Sequence, residues 1–213
     1  MAEFLLELFC EEIPARMQAR AADDLARLVT EGFADAGLSG GTVRAFATPR
    51  RLALVNDDLP TETPDVKEER KGPKADAPEK AIEGFLRSTG LTRDQLEERE
   101  TKKGNVLFAV IEKAGQPTGD VIAEVVPNVV RNFPWPKSMR WGSGNLRWVR
   151  PLQNILCLLD GKQVPFEIDG LASNDQTFGH RFMAPEEFAA RDFADYKQTL
   201  LDHKVILDSV RRA

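Results

Sequence analysis

The sequence predicts an α+β fold, a mixed β-sheet with helices packed against it, and three observations carry that reading. Two apolar runs stand out, Glu3 to Cys10, which is compatible with a strand, and Leu152 to Leu159, which suits a buried helix or a strand. Two β-type runs, Thr42 to Phe46 and Leu52 to Val55, are separated by a spacer too short for a crossover and suited to a hairpin or a kinked strand. Between these, apolar residues recur at helical spacing.

Taken in order, Glu3-Phe4-Leu5-Leu6-Glu7-Leu8-Phe9-Cys10 reads as a strand that Glu11-Glu12-Ile13-Pro14 punctuates. Pro14 suits a first helical turn, and Met17, Ala21, Leu25, Leu28 and Val29 follow on one face until Gly37. From Asn56 to Glu79 the chain turns polar, with Pro60, Pro64, Pro73 and Pro78, and reads as a long loop, expected to be mobile around Pro60 to Pro78. A short helix is expected from Pro78 to Ser88 on Ala81, Ile82, Phe85 and Leu86, and a further helical turn opens at Thr92. Val106 to Ile111 reads as a strand, and Pro117 to Asn132 as a helix despite Pro127. Leu152 to Leu159 suits a buried helix or a strand, and Val164 to Ile168 alternates after the turn Asp160-Gly161-Lys162. Ala184 to Ala213 reads as helical, opened by Pro185-Glu186-Glu187 and ending without a cap, as a helix cut in mid-course would. The expected domains are 1–185, an α+β unit with an insert at about 56–104, and 186–213, the start of a truncated helical region.

A chain of 213 residues with 42% hydrophobic and 30% charged residues can bury a sizeable core. No apolar run reaches the roughly 18–20 residues of a membrane span, and the first ten residues lack the basic start of a secretory signal, so a cytoplasmic protein is expected. Cys10 and Cys157 sit alone in apolar stretches and support neither a disulfide framework nor a zinc site. A net charge of −5 argues against nucleic-acid binding by bulk charge, so any polyanion contact is local.

Three local patches stand out. Val125 to Leu159 holds Arg131, Lys137, Arg140, Arg147 and Arg150, no acidic residue, and the tryptophans Trp135, Trp141 and Trp148. Cations interleaved with aromatics neutralise phosphate and stack on unpaired bases, but tryptophans also anchor cores and subunit interfaces. Thr48-Pro49-Arg50-Arg51-Leu52 presents adjacent arginines on a Pro-fixed turn, able to clamp a phosphate or simply to pair with surface acids. Gly179-His180-Arg181-Phe182 sets a histidine beside an arginine, fit to bind an anion, transfer a proton, or rest on a backbone carbonyl. Glu7, Glu11 and Glu12 read either as paired carboxylates for acid–base or magnesium chemistry or as solvated acids at a helix entry. Motifs of serine hydrolases, zinc proteases, P-loop and dinucleotide-binding proteins are missing, so the residues indicate a binding module.

These patches, in this order, resemble the β subunit of the bacterial heterotetrameric glycyl-tRNA synthetase. Leu5 to Pro14 is similar to that family's opening, Thr48 to Ala53 to its TPRRLA motif, Lys71-Gly72-Pro73 to its GP segment, and Ala81 to Gly90 to its AxxGFxxxxG segment. Lys102-Lys103-Gly104 resembles its KG turn, Pro136 to Gly142 its PKxMRWG motif, Val149-Arg150-Pro151 its FxRP, Val164-Pro165-Phe166 its VPF and Gly179 to Phe182 its GHRF. The chain departs at Leu152-Gln153-Asn154, where the family has an His-Trp or similar pair.

The resemblance implies the N-terminal part of a subunit of an α2β2 enzyme that activates glycine with ATP and magnesium and transfers it to tRNA-Gly. Aminoacylation is then expected in the α subunit, while the β subunit binds tRNA and supports α. The implied fold resembles the B3/B4 module of phenylalanyl-tRNA synthetase. That module edits, yet glycine needs little editing because every competitor is larger, which favours docking over hydrolysis. Arg50, Arg51, Lys137, Arg140, Arg150, His180 and Arg181 are then expected to face phosphate or the α subunit, with Trp135 and Trp141 as stacking or interface anchors. No residue is assigned to catalysis or to a metal, no cofactor is expected on this chain itself, and neither a membrane nor DNA is an expected partner. A purely structural interface module and an editing-type hydrolase remain the alternatives.

Overall fold

The computed structural model describes residues 1–101 and 104–212, so the turn expected at Lys102-Lys103 lies outside the described residues. In chain order the elements are β1 (Ala2–Cys10), α1 (Ala15–Asp35), β2 (Thr42–Thr48), β3 (Arg51–Leu59), β4 (Val66–Lys74) and α2 (Glu79–Thr89). A 3₁₀ turn (Arg93–Gln95), β5 (Leu96–Thr101), β6 (Gly104–Lys113), α3 (Thr118–Arg131) and β7 (Leu152–Leu159) follow. The chain then forms β8 (Lys162–Gln163), β9 (Glu167–Ile168), β10 (Leu171–Asn174), β11 (Gln176–Phe178), β12 (Glu187–Ala189), α4 (Phe193–Asp202) and α5 (Ser209–Arg212). The contacts divide them into two compact units, Met1–Thr63 with Gln116–Ala213, and Pro64–Gly115.

The larger unit is built on a mixed sheet in the order β2-β3-β1-β7-β10-β9, with β8 folded back on β7. Its central strand β1 pairs antiparallel with β3 and β7, whereas β10 joins β7 in parallel. Layers on both faces explain why β1 and β7 read as largely apolar runs without alternation. Phe4, Leu6, Leu8 and Cys10 face the cluster that contains Leu25 and Val29 of α1 and Val126 and Val130 of α3. Leu5, Ala53, Val55, Leu156 and Leu158 face Phe193, Tyr196 and Leu200 of α4.

Each helix follows from its apolar stripe. In α1, Met17, Ala21, Leu25, Val29 and Phe33 are buried at a strict four-residue spacing. Gly32 lets α1 approach α3, because a Cβ there would lie 2.6 Å from Val125 Cγ1. Helix α3 continues through Pro127 because Val121, Ile122, Val126, Val129 and Val130 are buried on it. At about 1.5–3 kcal/mol for each buried side chain, that packing outweighs the proline penalty of about 3 kcal/mol.

The smaller unit corrects the expectation of a polar, mobile loop around Pro60 to Pro78. Residues Val66–Lys74 form β4, which pairs antiparallel with β6 from Val66 opposite Lys113 to Lys71 opposite Phe108, and β5 lines the other side of β6. The strand was hidden because Val66 to Lys71 are all exposed, so backbone hydrogen bonding holds it without an apolar alternation. Among the described residues of this unit, Ile82 of α2 and Val106, Leu107 and Ala109 of β6 are buried.

The continuous helix expected over 184–213 is a second correction. Glu187–Ala189 pairs with β11, α4 is capped by Asp192, whose side chain accepts from the Asp195 amide at 2.7 Å, and Lys204 turns the chain in the left-handed region at φ 64°. Leu200, Val205 and Leu207 reach one cluster from a helix end and an extended segment, which imitates helical spacing. Residues 186–212 therefore belong to the larger unit.

Candidate functional site

Strand alternation builds the site. In β1, Phe9 stands between Arg51 of β3 and Asn154 of β7, and Glu7, two residues earlier on the same face, stands between Ala53 and Leu156. Arg51 and Glu7 are thus diagonal neighbours on the α4 side of the sheet, both fully buried. Arg51 Nε lies 2.9 Å from Glu7 Oε2 as an ion pair whose angle falls outside hydrogen-bond geometry. The Arg51 Nη2 donates to the Phe178 carbonyl at 2.7 Å. Glu7 also accepts from the hydroxyls of Thr177 and Tyr196, so one carboxylate ties together β3, β11 and α4. Burial first, and then the Glu7 charge, push the Tyr196 phenol upward, which keeps it a neutral donor.

In front of this network opens a pocket of about 410 Å³. One wall is the turn Thr48-Pro49-Arg50-Arg51, the opposite one Gly179 to Phe182, and Lys204 and Arg212 close it. The Pro49 carbonyl accepts from the Ile13 amide and the Arg50 carbonyl from the Cys10 amide at 2.8 Å, which fixes the arginine turn against the end of β1. Gly179 is required by close approach, since a Cβ would meet the Ala184 carbonyl at 2.1 Å.

Five cations line this pocket, Arg50, Arg51, Arg181, Lys204 and Arg212. Their acidic partners are fewer. Arg50 Nη2 donates to Gln153 at 2.8 Å and lies 3.6 Å from Glu11, which Arg181 also approaches at 3.2 Å. Glu12 is 4.0 Å from the same arginine, and Arg212 donates to the carbonyls of Ala47 and Ile206. Burial pulls the Arg50 guanidinium below its ordinary value, Glu11 opposes this, and Arg181 and Arg51 add to it. Its Nε is buried without a partner. Arg50, Arg181 and Arg212 thus bring forked guanidinium donors to one pocket, the donor type that suits an oxyanion.

His180 serves as scaffold in this arrangement. Its Nδ1 accepts from the amides of Phe182 at 3.3 Å and Met183 at 3.2 Å, which sets the ring orientation and leaves the other nitrogen as the donor. Of the expected site residues, then, Arg50, Arg51, His180 and Arg181 come together. The tryptophan segment goes elsewhere. Trp148 is wholly buried, and Trp135 packs against it with ring centroids 5.0 Å apart and against Phe133 at 4.8 Å. Trp135 and Lys137 line a second groove of about 410 Å³ with Arg16, Met17 and Arg20 of α1. Trp141 is half-buried against the core, Arg140 is exposed, and Arg150 donates to the carbonyl of Val149 at 2.7 Å.

Sequence reasoning missed the roles of Tyr196, Lys204 and Arg212, which reach the site from a segment far along the chain from Thr48 to Arg51 that reads as a plain helix. It named Glu7 without its partner, although a lone acid inside an apolar strand signals a buried pair. Among the described residues no group of three or more His, Cys, Asp or Glu side chains is arranged to hold a metal ion. No helix among them is long and apolar enough to cross a membrane.

Comparison with known proteins follows the same lines. The family model described as glycyl-tRNA synthetase beta subunit matches residues 4–213. The chain is 61% identical over 217 residues to the glycine–tRNA ligase beta subunit of Dinoroseobacter shibae, covering all of this chain and 30% of that protein. Identity to the corresponding subunits of Cereibacter sphaeroides and Phenylobacterium zucineum is 60% and 54%, again over the whole chain and 31% of each relative. The chain thus spans about a third of the length of the curated relatives it matches. A match that begins at Phe4 and takes in both walls of the pocket places this chain in the glycyl-tRNA synthetase beta subunit family.

Proposed function

We propose that this chain supports the ATP-dependent attachment of glycine to tRNA-Gly in the cytoplasm by holding tRNA phosphate in the pocket between the Arg50 turn and the Arg181 turn. The observation that carries this reading is the excess of cations at that pocket, in a chain whose net charge is −5. Phosphate oxygens match the forked donors of arginine, and a local cationic patch binds a polyanion where bulk charge would repel it. ATP and magnesium belong to the complete ligase in this reading, and no step is routed through this chain.

Docking of the α subunit is the second reading, favoured by the groove beside Trp135, where Met17, Phe133 and Pro134 are flanked by Arg16, Arg20 and Lys137. An apolar floor with a charged rim is the anatomy of a subunit contact.

A salt series of tRNA-Gly binding, with and without the α subunit, tests both. Expected is salt-sensitive binding without α, with Arg50→Ala and Arg181→Ala each flattening the slope by about one counterion. Equal slopes in wild type and variants remove the phosphate reading, and binding that needs α at every salt concentration gives the subunit reading instead.

A further inference from the structure

The geometry points to an unpaired nucleotide as the occupant of this pocket, its base stacked on Phe182 and its phosphates held by the surrounding cations. This rests on the RNA reading of the pocket and names the kind of RNA. Phe182 is 82% exposed and Met183 67% exposed, in a chain whose other large aromatics are half-buried or buried. An exposed phenyl ring gains nothing from the core, and a random surface position would leave it mobile.

Here the backbone beneath it is fixed. The Ala184 amide donates to the His180 carbonyl at 3.0 Å, the His180 amide to the His203 carbonyl at 2.9 Å, and the imidazole accepts from the Phe182 and Met183 amides. The turn is therefore held by its own hydrogen bonds, and ordering the ring on a ligand costs little entropy.

The neighbours of Phe182 select the ligand. The Arg181 guanidinium carbon lies 5.6 Å from the ring centroid, and Arg50, Lys204 and Arg212 line the same pocket. Cations around an exposed aromatic ring pair backbone phosphates with base stacking, which single strands offer and duplexes withhold because their bases are already stacked. A protein partner fits less well, since the centre of a protein interface is depleted of charge. Trp135 and Trp148 are less suited to this role, because they pack against each other and against Phe133, and none of the tryptophans lines this pocket.

Fluorescence anisotropy of the 213-residue chain, with a labelled single-stranded RNA and a hairpin duplex of the same composition, tests this. Phe182→Ala should weaken single-strand binding about five-fold or more and leave the duplex and the salt slope unchanged, while Phe182→Trp keeps or raises the affinity. Equal losses on both RNAs, no loss on either, or a Phe182→Trp variant as weak as Phe182→Ala would overturn the stacking inference with the phosphate reading intact. Salt-independent or absent RNA binding by the wild type sinks both, and loss of α-subunit association alone makes Phe182 a protein contact. Phe182 is exposed, so its variants are expected to fold.

Discussion

A glutamate in the middle of Phe4-Leu5-Leu6-Glu7-Leu8-Phe9 is costly unless its charge is met, and Arg51, Thr177 and Tyr196 meet it. The pair is diagonal across β1 and β3, so neither residue can leave without stranding the other inside the protein. Glu7→Gln keeps the volume but leaves the Arg51 charge uncompensated, and should cost about 3–5 kcal/mol. Arg51→Met should cost a similar amount by stranding the carboxylate, whereas Glu7→Gln with Arg51→Met recovers a large part of it. Urea unfolding of the three variants decides the matter, and additive losses would show that the two side chains do not act as a pair. The same double variant should also lose part of its affinity for RNA, since Arg51 both anchors the turn and lines the pocket.

Among elements, the contact between α1 and α3 is set by a single missing side chain. Gly32→Ala drives a methyl to within 2.6 Å of Val125 Cγ1 and should destabilise by about 1–3 kcal/mol, and Val125→Ala in the same chain should relieve it. Unfolding midpoints that are unchanged in the single variant would place slack between the helices. The legibility of the elements follows how they are buried. Helix α1 and strand β1 showed in the sequence because apolar periodicity or an apolar run records packing on one face or two, whereas the run of β7 suited a buried helix as well until its pairing with β1 decided it. Strand β4 did not, since its side chains are exposed and its ladder to β6 leaves no trace in hydropathy. The two turns of the pocket could be named from Arg50-Arg51 and His180-Arg181, where unusual residue types cluster locally. Their meeting could not, because it depends on the register of β1 against β3 and on hydrogen bonds from Arg51 to Phe178 and from His180 to His203.

For the molecule as a whole, buried thiols and a buried phenol make alkaline pH the direction in which folding weakens. Burial pushes the Cys10 thiol up from 9.0 to about 12, with the Trp148 indole acting in the opposite sense, and burial raises Cys157 as well. Tyr196 moves in the same direction from 10.0, by burial and then by the Glu7 charge. All three are neutral when protonated, and each folded value lies above its unfolded one. Their contribution is therefore complete below about pH 9 and is lost as the pH rises through the interval from 9 towards 12, where the unfolded chain releases protons that the folded chain retains. Each group lowers stability by at most about 1.4 kcal/mol per pH unit inside its window. Urea unfolding under reducing conditions at about pH 8 and about pH 10.5 should show a loss of a few kcal/mol in the wild type. Cys10→Ala starts from lower stability because it opens a cavity, but its fall between the two pH values should be shallower by about 2 kcal/mol. The difference in slope is the informative quantity, since a cavity alone displaces both points equally. Parallel losses in wild type and variant would mean that Cys10 ionises as readily in the folded chain as in the unfolded one, and that the end of β1 beside the arginine turn is open to solvent.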